Sequence, residues 1–201
     1  MSGNKLVKMC IGRLRIKRAL GCESGMAATE FALLLPFLAF LFFGMLEASE
    51  ALTVNRRVSK AVNTLSDLTS QVDTISPAEF SNLIDGVTEI LNPASLTGVQ
   101  MKVISVIPDP DSGNPIVHWS RDRDGNTPYA AGSDYLELDN TAVLDAGGSV
   151  IVAEIIYPHT LSVSNQVLGS PINFEVKSVR WPRNAGTTRV QFCTSPGSCT
   201  S

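Results

Sequence analysis

From Gly25 to Leu46 the chain reads GMAATEFALLLPFLAFLFFGML. No other feature restricts the possible folds as strongly. Between Phe31 and Leu46 only Pro36 and Gly44 interrupt the hydrophobic residues. Met26 to Leu46 is 21 residues, enough as a helix to cross a hydrocarbon core of ~30 Å. Pro36 would kink that helix and Gly44 would loosen it, and membrane helices tolerate both. Ala28, Ala32 and Ala39 leave room for close helix packing, although their spacing is irregular.

Charge gives this segment a direction. Residues 1–25 carry six basic side chains (Lys5, Lys8, Arg13, Arg15, Lys17, Arg18) and one acid, Glu23. Residues 26–201 carry ten basic and eighteen acidic groups, a balance of -8. A basic leader before an apolar run predicts an N-terminus in the cytoplasm and the bulk of the chain outside it. The expected setting is a membrane crossed once, with the head on its outer side. A basic cluster can also bind nucleic acid, but this one has no interleaved aromatics and runs into a membrane segment. No nucleic-acid partner is expected.

Neither of two common export signals fits the leader. Leu20-Gly21-Cys22 has the end of a lipoprotein signal but lacks the apolar stretch before it. The residues after Leu46, Glu47-Ala48-Ser49-Glu50, make a poor signal-peptidase site. Cleavage before the apolar run fits better. The four cysteines fall on opposite sides of the run: Cys10 and Cys22 on the reducing side, Cys193 and Cys199 on the oxidising side. A disulfide between Cys193 and Cys199 is therefore expected. By loop closure it would contribute roughly 2–2.5 kcal/mol.

Gly25-Met26-Ala27-Ala28-Thr29-Glu30-Phe31 resembles the type IV prepilin cleavage motif: a small residue, the cut, then glutamate at the fifth mature position and phenylalanine after it. The continuation Glu30-Phe31-Ala32-Leu33-Leu34-Leu35-Pro36 is similar to the TadE-like pseudopilins of tight-adherence (Flp) pilus systems. That resemblance implies a minor pilin cut between Gly25 and Met26 by a prepilin peptidase. Glu30 and Phe31 would serve recognition and assembly of Flp-type (type IVb) adhesion pili. The implied partners are the peptidase, other pilins and minor pilins, and the inner-membrane assembly platform. TadF-like minor pilins are similar enough that the motif does not separate the two. Three later features are also TadE-like: Trp119 ahead of a glycine-containing loop, Val152–Tyr157 followed by Pro158, and Arg180-Trp181-Pro182-Arg183. Independently of the resemblance, an ionisable side chain at the head of a membrane helix is costly and marks function. The amine freed at Met26 could pair with Glu30 in the same chain or a neighbouring one. Alternatively, Glu30 could sit at the interface as an acid in the first helical turn.

Past the membrane, Ala51, Val54, Val58, Ala61, Leu65, Leu68, Val72 and Ile75 step by threes and fours. This heptad-like stripe predicts one helix from Met26 to Ile75, roughly 75 Å long. Its second half (47–75) would pack on a head spanning 76–201. Ser76-Pro77-Ala78-Glu79 is a capping box with proline at the first helical position. It starts a second helix with Phe80, Leu83, Ile84, Val87, Ile90 and Leu91 on one face. From Val99 the period becomes strand-like, at Val99–Ile107, Ile116–Arg121, Ser149–Tyr157, Ile172–Trp181 and Thr187–Phe192. The fold class is thus α+β: a long transmembrane helix, then a small head with one more helix and an antiparallel sheet of four to five strands. Residues 122–148 form a long loop, and its length makes it a candidate contact surface.

Catalytic and metal signatures are missing from this sequence. Asp122-Arg123-Asp124-Gly125-Asn126 lacks the glycine and glutamate positions of a calcium loop and is expected to be a turn. His118 is read as a strand residue and His159 as a loop residue. Ser195 has no assigned base. No enzyme activity, cofactor or metal is expected. The competing reading is an uncut single-pass protein whose periplasmic head binds another envelope partner.

Overall fold

The computed structural model describes residues 23–138, 144, 148–160, 171–183, 189–195 and 197–200, with side chains from residue 26 onward. The leader over residues 1–22, including Cys10 and Cys22, lies outside the described residues. So do most of residues 139–147 and the first residues of the strand expected at Thr187. The chain divides into two compact units, Met1–Ser49 and Glu50–Ser201.

Helix α1 runs Glu23–Ser70, with Pro36 inside it. It stops short of the expected end at Ile75. The next residues include Val72, Thr74 and Ile75, β-branched side chains that favour extended backbone. Thr74–Ile75 form a short strand, β1. The last carbonyl of α1, at Ser70, accepts a hydrogen bond from the Arg183 amide at 2.8 Å, so the helix end is not left unsatisfied. Within the second unit the buried face of α1 is Val54, Val58, Ala61, Val62, Leu65, Ser66, Thr69 and Ser70. Leu68, assigned to the stripe by the heptad reading, is 37% exposed, and Val72, also assigned to it, lies past the end of the helix. A straight helix turns every 3.6 residues, so a 3.5-residue stripe drifts off the contact face within a few turns. Ser66, Thr69 and Ser70 lie buried at that face, and each hydroxyl donates to a carbonyl three or four residues back.

Helix α2 spans Pro77–Leu91. The Glu79 amide donates to the Ser76 hydroxyl at 3.3 Å, and the Ser76 amide donates to the Glu79 carboxylate at 2.8 Å. Phe80, Ile84, Val87 and Leu91 are buried, the apolar face expected from the sequence.

Four antiparallel strands follow: β2 (Gln100–Pro108), β3 (Pro115–Asp122), β4 (Val150–His159) and β5 (Ile172–Arg180). Their order across the sheet is β3-β2-β4-β5. The fifth expected strand leaves this sheet. As β6 (Gln191–Ser195) it pairs in parallel with β1 and antiparallel with β7 (Ser198–Cys199). The head is α+β as expected, with a second small sheet. His159 lies at the end of β4 rather than in a loop and is 5% exposed.

Two apolar clusters cover the two faces of the main sheet. One face packs α1 and α2 onto Met101, Val103, Ile151, Ala153 and Ile155. The other collects Ile104, Val106, Val117, Val150 and Val152 beneath Tyr135 and Leu144. A bulge in the β2–β3 pairing links these assignments. Ser105 pairs with Trp119 but Val106 pairs with Val117, leaving His118 as the extra residue. The alternation therefore flips: Val117 joins the second cluster and Trp119 the first.

Candidate functional site

The apolar part of α1 satisfies the physical requirements of an anchor. Among the described residues one helix is long and apolar enough to cross a membrane; its most apolar stretch has a mean hydropathy of 2.1. Only 6% of that stretch is buried, which sets it apart from the core helix of a soluble protein. Met26, Phe31, Leu33, Phe37, Phe40 and Met45 are each about half exposed or more. Gly25 and Met26 lie in the first turn of the helix, followed by Glu30 and Phe31 and then Pro36. Glu30 stands four residues after Met26, which puts the two on the same side of the helix one turn apart. The Thr29 hydroxyl donates to the Met26 carbonyl at 2.8 Å.

A second concentration of charge lies in the head. Glu154 sits on β4, amid Val152, Ala153, Ile155 and Ile156, and is 3% exposed. A buried carboxylate needs partners, and Glu154 has three. The Tyr135 hydroxyl donates to it at 2.7 Å. Lys177 on β5 lies 3.6 Å away and Lys102 on β2 3.9 Å. Lys177 also forms an ion pair with Glu137, and Lys102 sits over the Tyr129 ring. Burial pushes the Tyr135 phenol far above its ordinary range, and acceptance of its proton by Glu154 pushes it further. It therefore stays a hydrogen-bond donor at any ordinary pH. The Lys177 hydrogen bond holds the Glu137 carboxyl below the usual carboxylate range despite partial burial. Burial works against the Lys177 charge, but the Glu137 and Glu154 carboxylates outweigh it and hold that ammonium above its usual range.

This cluster explains much of the long loop. Its backbone docks on the outer edge of β3: Val117 donates to Ser133 at 2.9 Å, Gly132 to Val117 at 2.7 Å, and Tyr135 to Pro115 at 2.9 Å. Residues 129–138 thereby strap the second face of the sheet. The sequence carries a signal for the cluster that a site search misses, a single acid in an otherwise apolar strand.

Cys193 and Cys199 are joined by a disulfide, as expected. It closes the β6–β7 hairpin beside Phe192, whose ring packs on Trp119 at 5.5 Å and Phe80 at 6.3 Å. The Trp119 indole donates to the Val190 carbonyl at 2.7 Å. Asp122 starts a turn, as expected. Its carboxylate accepts from the amides of Asp124 and Asn126 and from the Asn126 side chain. Among the described residues no group of three or more His, Cys, Asp or Glu is placed to hold a metal ion.

Comparison with known families adds one finding: residues 25–65 match the family model described as TadE-like protein. The matched segment begins at Gly25 and extends through the apolar run into the part of α1 that packs on the head. It ties the chain to assembly of the Tad pilus. No curated protein and no solved structure matches the chain.

Proposed function

We propose that this chain, TadE-like over residues 25–65, is a minor pilin cut after Gly25 by a prepilin peptidase and needed to assemble Flp-type adhesion pili. The observation that carries the reading is a coincidence of position. The family match starts at the residue where the cleavage motif puts the cut, and the helix that follows exposes an apolar surface on all sides. Such a surface must be covered by lipid, by other helices, or by each in turn. Insertion leaves the basic leader in the cytoplasm and the head in the periplasm. Cleavage then frees an amine at Met26, near enough in sequence for Glu30 of the same or a neighbouring subunit to pair with it. The subunit acts as a structural component, with the peptidase, other pilins and an inner-membrane platform as its partners.

The test is the intact mass and N-terminal sequence of the protein extracted from its native membrane. A chain starting at Met26 is the expected result. A chain starting at Met1 or Ser2, in cells with an active prepilin peptidase, overturns the reading and leaves an uncut anchored protein.

A further inference from the structure

The two edges of the main sheet differ. At β3 the strap bonds to the outer side of the strand through Gly132, Ser133 and Tyr135. β5 forms the opposite edge. Among the described residues no loop or further strand bonds to its outer side.

The register fixes which backbone groups of β5 face outward. The Arg123 amide donates to the Met101 carbonyl at 2.9 Å, so the polar backbone groups of Met101 are turned to β3. In an antiparallel sheet this direction alternates from residue to residue, and a residue that bonds one neighbouring strand is turned away from the other. Met101 stands opposite Ile155, and Ile155 opposite Val176. Ile155 is therefore turned to β5, and Val176 bonds back to it. Asn173, Glu175, Lys177 and Val179 then hold their N–H and C=O groups outward. The Arg180 guanidinium donates to the Val179 carbonyl at 3.0 Å. The outward groups of the other three have no such partner among the described residues.

Proteins blunt an open edge with proline, a bulge or short length, because it invites other strands. β5 uses none of these. It pairs with β4 over nine successive residues without a register shift, and it contains no proline.

The edge has two unlike faces. On the helix side Phe174 and Val176 are partly buried against the first cluster, and Ile172 is 44% exposed. On the strap side three carboxylates, Glu137, Glu154 and Glu175, act on two ammonium groups, Lys102 and Lys177. That leaves one acid in excess. Lys177 is engaged by Glu137 and Glu154, whereas exposed Glu175 has no ion pair among the described residues. A strand that completes this edge needs apolar side chains toward Ile172, Phe174 and Val176, and a base toward Glu175. A second copy paired about Val176 would set Glu175 against Lys177. The two-fold axis of that pair stands perpendicular to the sheet and reverses the α1 segment lying on it. Two chains anchored in one membrane in the same sense do not meet in this way.

We propose that β5 is a docking edge for an extended strand of a different polypeptide, one that alternates apolar and basic residues and adds to the sheet. From the pilus reading this takes only the membrane anchor. It needs neither cleavage at Gly25 nor pili.

The test is photocrosslinking of the full chain in its native cells. p-Benzoylphenylalanine is placed at Asn173 on the outward row, or at Asp111 in the β2–β3 turn as a control. The expected result is a discrete adduct from Asn173 alone, mapped by mass spectrometry to another protein, in a segment where apolar and basic residues alternate. Glu175→Pro removes an outward N–H and leaves the bonds to β4 in place. It should lower the yield about tenfold, through one lost hydrogen bond and a clash with the incoming strand, while the urea midpoint in micelles stays near wild type. Glu175→Gln keeps the N–H and should lower the yield roughly two- to fivefold, the worth of one exposed ion pair. It carries the test if the proline variant unfolds. No adduct, an equal adduct from Asp111, an adduct within the chain, to a second copy or to lipid, a segment without the alternation, or a yield that neither variant lowers overturns the proposal.

Discussion

The Tyr135 hydroxyl and the Glu154 carboxylate meet at 2.7 Å beneath the strap over the second face of the sheet. Tyr135 comes from the loop and Glu154 from the middle of β4, so one bond joins the strap to one of the two central strands of the sheet. Tyr135→Phe keeps the ring and deletes the donor. It should cost about 1–3 kcal/mol, because the carboxylate stays buried and loses one of its partners. Urea unfolding of the full chain in detergent micelles measures this. In a Glu154→Gln background the same substitution should cost less by at least ~0.5 kcal/mol, as contacting residues are not additive.

Acid should loosen the same strap. Glu137 has a lower pKa in the folded chain than in the unfolded one. Between the two values the unfolded chain holds more protons, so stability rises with pH across that window. The contribution is complete above the unfolded carboxyl value of about 4.3 and disappears as pH falls through the folded one. Asp109, held low first by the Ser112 hydroxyl, and Glu79, held low by Ser76, act in the same direction. The urea midpoint should therefore drop as pH is lowered through the carboxylate range, and Glu137→Gln should flatten part of that drop. Lys177, held high, predicts the mirror case: its contribution is present at neutral pH and is lost as pH rises through its folded value.

How much of this was legible in the sequence depends on the range of the interaction. The long apolar helix is a local property, and the run from Phe31 to Leu46 states it outright. The Ser76–Glu79 capping box is local as well, and both of its reciprocal bonds form. The strands were placed to within a few residues because β-branched runs ended at Gly, Pro, Asn or Asp. What the sequence hid was long-range. The near-unbroken apolar run in β4 signals a strand covered on both faces, but nothing local says that residues 129–138 supply the second cover. The His118 bulge shows only in the pairing of β2 with β3. The small sheet joins residues 74–75 to 191–192, across more than half the chain.

Opening the C-terminal disulfide should be felt at Trp119. The six-residue separation of Cys193 and Cys199 puts the loss for Cys193→Ser/Cys199→Ser at roughly 2–2.5 kcal/mol. Phe192 then has one restraint fewer against Trp119 and Phe80. Tryptophan fluorescence should shift to the red in the double variant and in the reduced wild type. A reductant should have no further effect on the variant's fluorescence.

On the proposed function, Glu30→Ala should separate anchoring from assembly. Removing an acid from a membrane helix does not hinder insertion, so membrane fractionation should find the variant at wild-type levels. If the free amine and Glu30 pair during packing, pili should be absent by electron microscopy. Normal piliation would refute a role for Glu30 and leave it as an interfacial acid.

Val62 and Leu68 decide which helical period governs packing of the head. The heptad-like stripe includes Leu68 and omits Val62. The structure has Val62 fully buried and Leu68 37% exposed. If the 3.6-residue period is correct, Val62→Ala removes two buried methyl groups and leaves a void, at a cost of about 2 kcal/mol. Leu68→Ala, although it deletes more atoms, should stay within about 0.5 kcal/mol of wild type in the isolated subunit, as surface substitutions do. Urea midpoints in micelles test the order. If Leu68→Ala proves the costlier change there, the face of α1 that meets the sheet is the heptad one and the stripe does not drift. If it is neutral in micelles yet impairs pilus formation in cells, Leu68 belongs to a contact between subunits, and the stripe is the surface left over for that contact.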